Sequence, residues 1–300
     1  MLCLLPMVAS CQPPAPAPPA GVTAVRDLNY AGTEEPRQTL DLFVPKTPPA
    51  KPLPLVVFIH GGGWTNGSKN DTGAIYALIN DGAFIGASLN YRLTDKGTFP
   101  IQIHDCKAAI RWLRAHAKDY GIDPQKISVF GISAGGHLAS LLGTSGDVKE
   151  MEGTVGGNLD QSSRVSCVID FCGPSDFPIF ATQKSAIDPE KPGIITKLFG
   201  GPMSQHLDLA RAASPVTYIT KDDPPFLIIH GTKDPLVPYE QAVELNKLLH
   251  DAGVPATLLT GTDAGHVFFS AELVKDMRLF LDKHLVGGGG EIKDGPVAVK

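Results

Sequence analysis

The stretch Ile127-Ser-Val-Phe-Gly-Ile-Ser133-Ala-Gly-Gly-His-Leu138 carries more information about this chain than any other. Ile127–Phe130 is a short apolar run, the signature of a strand covered on both faces. A helical pattern starts at Ala134, so strand, turn and helix follow in immediate succession. The turn between them, Gly131-Ile-Ser133-Ala-Gly135, has the G-x-S-x-G form, in which residues flanking the serine must be small because the backbone doubles back so tightly. Such a turn lifts a hydroxyl out of the chain. The helix N-terminus beneath it favours negative charge developing nearby. A five-residue pattern alone is weak; its strand context and the continuation Gly136-His137-Leu138-Ala139 strengthen it.

Apolar runs and amphipathic stretches alternate on both sides of this turn. Strands are expected at Val22–Ala31, Thr39–Val44, Leu55–His60, Phe84–Leu89, Ile127–Phe130, Val165–Phe171, Phe226–His230 and Thr257–Leu259. From the third onward they are nearly continuous hydrophobics, as parallel strands require. Cys106, Ala109, Ile110, Leu113 and Ala117 form one helical face, with Gly121 placed to cap it. Leu245, Leu248, Leu249 and Ala252 form another, ending at Gly253. The expected fold is a mostly parallel, doubly wound α/β domain of about eight strands over residues 22–286, with the first two antiparallel. An insertion at about 174–224 is too long for an ordinary connection, and reads either as a lid or as extra packing outside the sheet.

The chain has 300 residues, Lys+Arg 26 against Asp+Glu 31 and a net charge of -5, with 43% hydrophobic and 19% charged residues. That composition excludes a disordered chain. It offers no basic stripe for nucleic acid and no run of the ~18 apolar residues that a spanning helix needs. Cys106, Cys167 and Cys172 match no zinc spacing, so no metal is expected, and buried free thiols are the plain reading, with one bridge open after export. Residues 1–21 read as a leader with a proline-rich spacer. Val8-Ala9-Ser10-Cys11 is similar to a bacterial lipobox, in which Cys11 would take a lipid and anchor an exported, periplasmic or membrane-held lipoprotein. No Lys or Arg precedes its apolar run, and the alternative is a plain leader with a chance cysteine. Residues 287–300, after Gly287-Gly-Gly-Gly290, show no periodicity and are expected to form a flexible tail.

A serine hydroxyl needs a base. Of 9 histidines, His266 lies in the loop after the last expected strand, where its ring can reach over Ser133. His137 suits packing or capping, His230 a scaffold role and His60 the bracing of a glycine loop. Asp234, after the strand ending at His230, belongs to the same carboxyl edge and is the expected orienter of that base. Asp263 is the rival, although it must fold back on its own loop. The order Ser133, Asp234, His266 is that of α/β-hydrolases. His60-Gly61-Gly62-Gly63-Trp64 follows the third strand, and its glycines allow the amides of Gly62 and Gly63, with that of Ala134, to meet an oxyanion. A phosphate loop is the alternative for this run, but the required lysine and glycine spacing are missing.

Together these motifs resemble the α/β-hydrolase superfamily, in particular BD-FAE-type esterases and hormone-sensitive-lipase-like carboxylesterases, over roughly Val22 to Leu285. Asn90-Tyr91-Arg92, Ala109-Ile-Arg-Trp-Leu113 and Tyr120-Gly-Ile-Asp123 add to the likeness, and Ile132, where the lipase-like group usually has Asp, favours the BD-FAE-like branch. The resemblance implies Ser133 as nucleophile, His266 as base, Asp234 as orienter, and Gly62, Gly63 and Ala134 as the oxyanion site. It also implies cofactor-free hydrolysis of short acyl or aryl esters, with acetyl and feruloyl esters of plant polysaccharide among the substrates of relatives. The implied partners are therefore small esters or acylated polysaccharide. Trp64, Tyr91, Phe177 and Phe180 are candidates for the substrate pocket or for the core. A formamidase or arylformamidase is the nearest rival activity, and a non-catalytic binding protein on a hydrolase scaffold is the rival of another class.

Overall fold

The computed structural model describes residues 15–299, so Cys11 and its lipobox lie outside the described residues. A nine-stranded sheet runs in the order β1-β2-β4-β3-β5-β6-β7-β8-β9. Its strands are β1 (Val22–Asn29), β2 (Thr39–Pro45), β3 (Leu53–Ile59), β4 (Ile85–Leu89), β5 (Ile122–Ile132), β6 (Cys167–Phe171), β7 (Phe226–Gly231), β8 (Ala256–Gly261) and β9 (Gly295–Val297). β2 is antiparallel to both β1 and β4, and every other pair is parallel. The eight expected strands are all present.

The ninth is a correction. Residues 287–300 are expected to form a flexible tail, yet within them β9 pairs with β8 from Leu259↔Gly295 to Gly261↔Val297. Val297 is buried against the sheet, and the Leu258 amide donates to Asp294 Oδ1 at 2.7 Å. A three-residue edge strand held by backbone pairing carries too few side chains to write a period into the sequence.

Outside residues 174–224 the longer helices among the described residues are α1 (Gly73–Ile79), α2 (Ile101–Ala115), α3 (Ala134–Thr144), α4 (Tyr239–Asp251) and α5 (Ala271–Leu281), which form the outer layers. On one face, the expected stripe Cys106, Ala109, Ile110 and Leu113 of α2 packs with Leu138, Leu141 and Leu142 of α3, and with Leu245 and Leu249 of α4. On the other, Ile75 and Ile79 of α1 meet Met277, Phe280 and Leu281 of α5. The strand order places β3 between β4 and β5, so the chain switches direction across the sheet beside β3. At such a switch point the loops leaving adjacent strands part and open a crevice. Ile59 of β3 lies in register with Gly131 of β5, which brings the glycine loop and the serine turn to that crevice together.

Residues 174–224 contain short helices at Phe177–Phe180, Ile194–Phe199 and Leu207–Ala213. Within this insertion Phe177, Leu198 and Phe199 join the core, while Phe180, Ile187 and Ile194 face a cavity beside Ser133. Cys106, Cys167 and Cys172 are buried free thiols. Among the described residues no helix is long and apolar enough to cross a membrane.

Candidate active site

Ser133 stands between β5 and α3 with φ 57° and ψ −120°, a conformation that costs a non-glycine residue energy and persists only where its surroundings enforce it. The enforcement is steric. A Cβ at Gly131 would come within 2.0 Å of the Gly135 carbonyl oxygen, and one at Gly135 within 2.0 Å of the Ile59 oxygen. The two glycines of the motif are thus fixed by backbone contact, and Ser133 is left pointing outward.

His266 Nε2 lies 2.8 Å from Ser133 Oγ, and His266 Nδ1 lies 2.6 Å from Asp234 Oδ2. Asp234 Oδ1 accepts from the amides of Leu236 at 2.8 Å and Val237 at 3.0 Å. His230 Nε2 adds a further bond to Oδ2 at 3.0 Å. Burial alone would raise the Asp234 carboxyl; the bonds from His230 and His266, the His266 charge and the Leu236 amide outweigh it and hold it well below the ordinary carboxylate range. The rival Asp263 instead pairs with Lys233 at 2.8 Å, on the exposed surface. The sequence assigned His230 to the scaffold and missed its contact with Asp234. Its only signal is a position four residues before the aspartate, at the end of the strand.

The glycine loop is braced from below. Gly62, Gly63 and Trp64 have φ of 105°, 58° and 56°. His60 Nδ1 donates to the Gly61 carbonyl at 2.7 Å, its other nitrogen faces Arg37 Nη2 at 3.2 Å, and its ring stacks on Tyr91 with centroids 4.4 Å apart. From behind Ser133, His137 Nδ1 accepts from Trp64 Nε1 at 3.2 Å while its Nε2 donates to the Ala213 carbonyl at 2.7 Å. His137 therefore ties the glycine loop to the insertion, a link invisible in the sequence because its three parts are far apart along the chain.

Burial pushes His60 down to about 3, with Arg37 acting in the same direction against the Gly61 bond, and pushes His137 down to about 4 against its bond to Ala213. Both stay neutral when folded, whereas the unfolded rings take up protons near 6.5. Between those values the unfolded chain binds more protons, so stability rises with pH and is lost as pH falls. Urea unfolding at pH 4.5 should therefore give a stability several kcal/mol (roughly 1.4 per pKa unit per histidine) below that at pH 7. His137→Gln, which cannot titrate, should remove about half of the pH slope contributed by this pair. An equal slope in that variant would exclude His137 as a source.

Ser133 opens into a cavity of about 380 Å³ that Gly62, Gly63, Ala134, Trp64 and Phe180 also line. Two expected pocket residues are absent from it. Tyr91 is fully buried under His60 and donates from its hydroxyl to the His60 carbonyl at 3.0 Å. Phe177 is fully buried against His137 and Phe199, with centroids 5.2 Å away in each case. Both hold the loop in place from the core side. Among the described residues one set of metal-type donors clusters, Cys172, Asp234 and His266, within 4.8 Å. Burial first, then the Asp234 and Asp170 carboxylates, push the Cys172 thiol well above its ordinary value. Within this set Asp234 already spends both oxygens on hydrogen bonds to His266, His230 and the Leu236 and Val237 amides.

A serine on a G-x-S-x-G turn at the switch point of a mostly parallel sheet, linked through a histidine to an aspartate on later loops, defines an α/β-hydrolase. The chain belongs to the BD-FAE family, whose model matches residues 40–249. It is 32% identical to esterase LipC of Mycobacterium tuberculosis over 241 residues, 78% of this chain and 58% of LipC. It is 35% identical to the probable carboxylic ester hydrolase LipM of the same organism over 63% of this chain and 43% of that protein. The chain thus spans about half the length of the curated relatives it matches. Among solved structures, a truncated carbohydrate esterase from gut microbiota superposes with TM-score 0.82 at 30% identity, covering 91% of this chain and all of that one. A bifunctional GH43-CE protein of Bacteroides eggerthii gives TM-score 0.80 at 32% identity over 87% of this chain and 35% of its own.

Proposed function

We propose that this protein is a serine carboxylic-ester hydrolase that works through an acyl-enzyme. The observation that carries the reading is the unbroken hydrogen-bonded line from Ser133 Oγ through both ring nitrogens of His266 to Asp234. Ser133 attacks the ester carbonyl as His266 Nε2 takes its proton, and the tetrahedral oxyanion settles on the amides of Gly62, Gly63 and Ala134. Each such donor contributes about 3 kcal/mol to lowering the barrier. The alcohol leaves with the proton from His266; water, activated by the same ring, then cleaves the acyl-enzyme. Asp234 stays ionised throughout, holding the Nδ1–H tautomer and supporting the imidazolium.

The names of its relatives, esterases and carbohydrate esterases, support an ester substrate, and a sugar as one source of the alcohol. The lipobox-like leader supports export with Cys11 as the lipid attachment point. The test of the catalytic assignment is covalent labelling with a fluorophosphonate and peptide mass spectrometry. The expected result is one adduct per chain, on Ser133, abolished in His266→Ala. A folded protein that stays unlabelled, or that is labelled at another serine, would overturn the assignment.

A further inference from the structure

The carboxylate that orients the base is held by more groups than a serine relay needs. The Asp234 side chain is buried and meets four donors: the Leu236 and Val237 amides on Oδ1, His266 Nδ1 on Oδ2 at 2.6 Å, and His230 Nε2 on the same Oδ2 at 3.0 Å. His230 is itself fully buried near the end of β7. The next residue packs directly on the loop of the base, since a Cβ at Gly231 would come within 2.3 Å of the Gly265 carbonyl oxygen. His230 Nε2 also lies 2.9 Å from the Val237 carbonyl. Both neighbours are acceptors, so Nε2 carries a proton and shares it between them. Among the described residues Nδ1 is buried without a hydrogen-bond partner. Every polar contact of this ring therefore passes through Nε2.

We infer, on the basis of the serine-esterase reading, that His230 is a positioning residue of the relay: its Nε2–H holds Asp234 Oδ2 in line with His266 and takes up part of the charge that would otherwise raise the proton affinity of the base. The two rings compete for one oxygen. With His230 present, Oδ2 divides its charge between two donors. Without it, the whole of that charge faces His266, the imidazolium gains stability, and the base is protonated and idle up to a higher pH. The other titratable groups around the pair stand on separate elements. They are Cys172 after β6, with Sγ 3.9 Å from His266 Nε2; Asp170 of β6, which accepts from Ser140 and the Gly173 amide; and Tyr239 of α4, whose ring meets His230 edge-on at 5.9 Å. On the loops beside Asp234, Lys233 and Asp263 pair with each other at the surface. Among the described residues none of these groups hydrogen-bonds the His230 ring, so its influence on the base runs through Asp234.

The test is the pH profile of kcat/KM for p-nitrophenyl acetate in wild type, His230→Leu, His230→Asn and His230→Gln. Leu has no donor, and the Asn amide ends at the depth of Nδ1, short of Oδ2. In both, the acid limb should move up by about half a pH unit or more, so that activity relative to wild type is about threefold lower at pH 6 than at pH 8. Gln places one amide donor where Nε2 stands, which is all that the ring offers, and should return the limb to its wild-type position. Melting curves establish which variants fold; where Leu does not, Asn carries the comparison. An acid limb that stays in place or moves down in the folded Leu or Asn variant would make His230 a scaffold residue only and overturn the inference. A Gln variant that shifts as far as Leu would overturn it too. Each of these outcomes leaves the esterase reading intact, whereas folded wild-type protein inert on the ester would remove the reading on which the inference rests.

Discussion

Ser133→Ala is expected to lower kcat for ester hydrolysis by about 10⁶-fold, the loss seen when the nucleophile of such a triad is removed. The Oγ of Ser133 makes its side-chain bond to His266 alone, and the strained backbone at this position is imposed by Gly131 and Gly135 rather than by the hydroxyl. Removing the hydroxyl therefore leaves the turn standing, and thermal unfolding should change by no more than about 1 kcal/mol. A residual rate of about 10³ over water is expected from the proposed oxyanion amides of Gly62, Gly63 and Ala134, which the substitution leaves in place. Steady-state kinetics alongside a melting curve check both halves. Turnover within tenfold of wild type would show that another residue does the chemistry.

The second large effect is expected of Asp234→Asn, at about 10⁴-fold in kcat. The direction of the new amide follows from the neighbours. Oδ1 accepts from the Leu236 and Val237 amides, so the Asn carbonyl oxygen must remain there, and its NH₂ turns toward His266 and His230. A donor facing His266 Nδ1 forces the proton onto Nε2, which can then no longer accept one from Ser133. The same donor confronts His230 Nε2, which already donates to the Val237 carbonyl at 2.9 Å, so stability should fall as well. The wild-type carboxyl is depressed on folding, so its contribution to stability is present above the ordinary carboxylate range and fades as pH drops toward the folded value. The stability gap between wild type and Asn should accordingly shrink in strong acid. A kcat loss below tenfold would mean that a different acid, Asp263 being the nearest in sequence, orients the base.

The legible parts of this protein share one property: their signal is local. β3 to β8 are runs of apolar residues because both faces of a parallel sheet are covered, and α2 shows its stripe because its apolar side joins the core while the buried Lys107 and Arg111 are paired with Glu152. The serine turn is legible because its geometry tolerates only small neighbours within five residues. β9 left no such trace, since the edge of β8 recruits it through backbone groups that every residue has.

The site divides along the same line. The order of Ser133, Asp234 and His266 after β5, β7 and β8 is set by local motifs, and a parallel sheet brings the carboxyl ends of its strands to one edge. Which way an aromatic ring points is a different matter. Trp64, Tyr91, Phe177 and Phe180 are all buried, yet Trp64 and Phe180 line the cavity while Tyr91 and Phe177 do not. Nothing in their own segments distinguishes them, because each ring takes the side on which the rest of the fold leaves room. The same holds for His230 against Asp234, for His137 bridging Trp64 and Ala213, and for the aliphatic wall contributed by the insertion. Fold class and the order of Ser133, Asp234 and His266 along the chain are thus written in short-range patterns of size and polarity. The shape of the cavity depends on contacts between segments distant in the chain, and only packing in three dimensions brings those together.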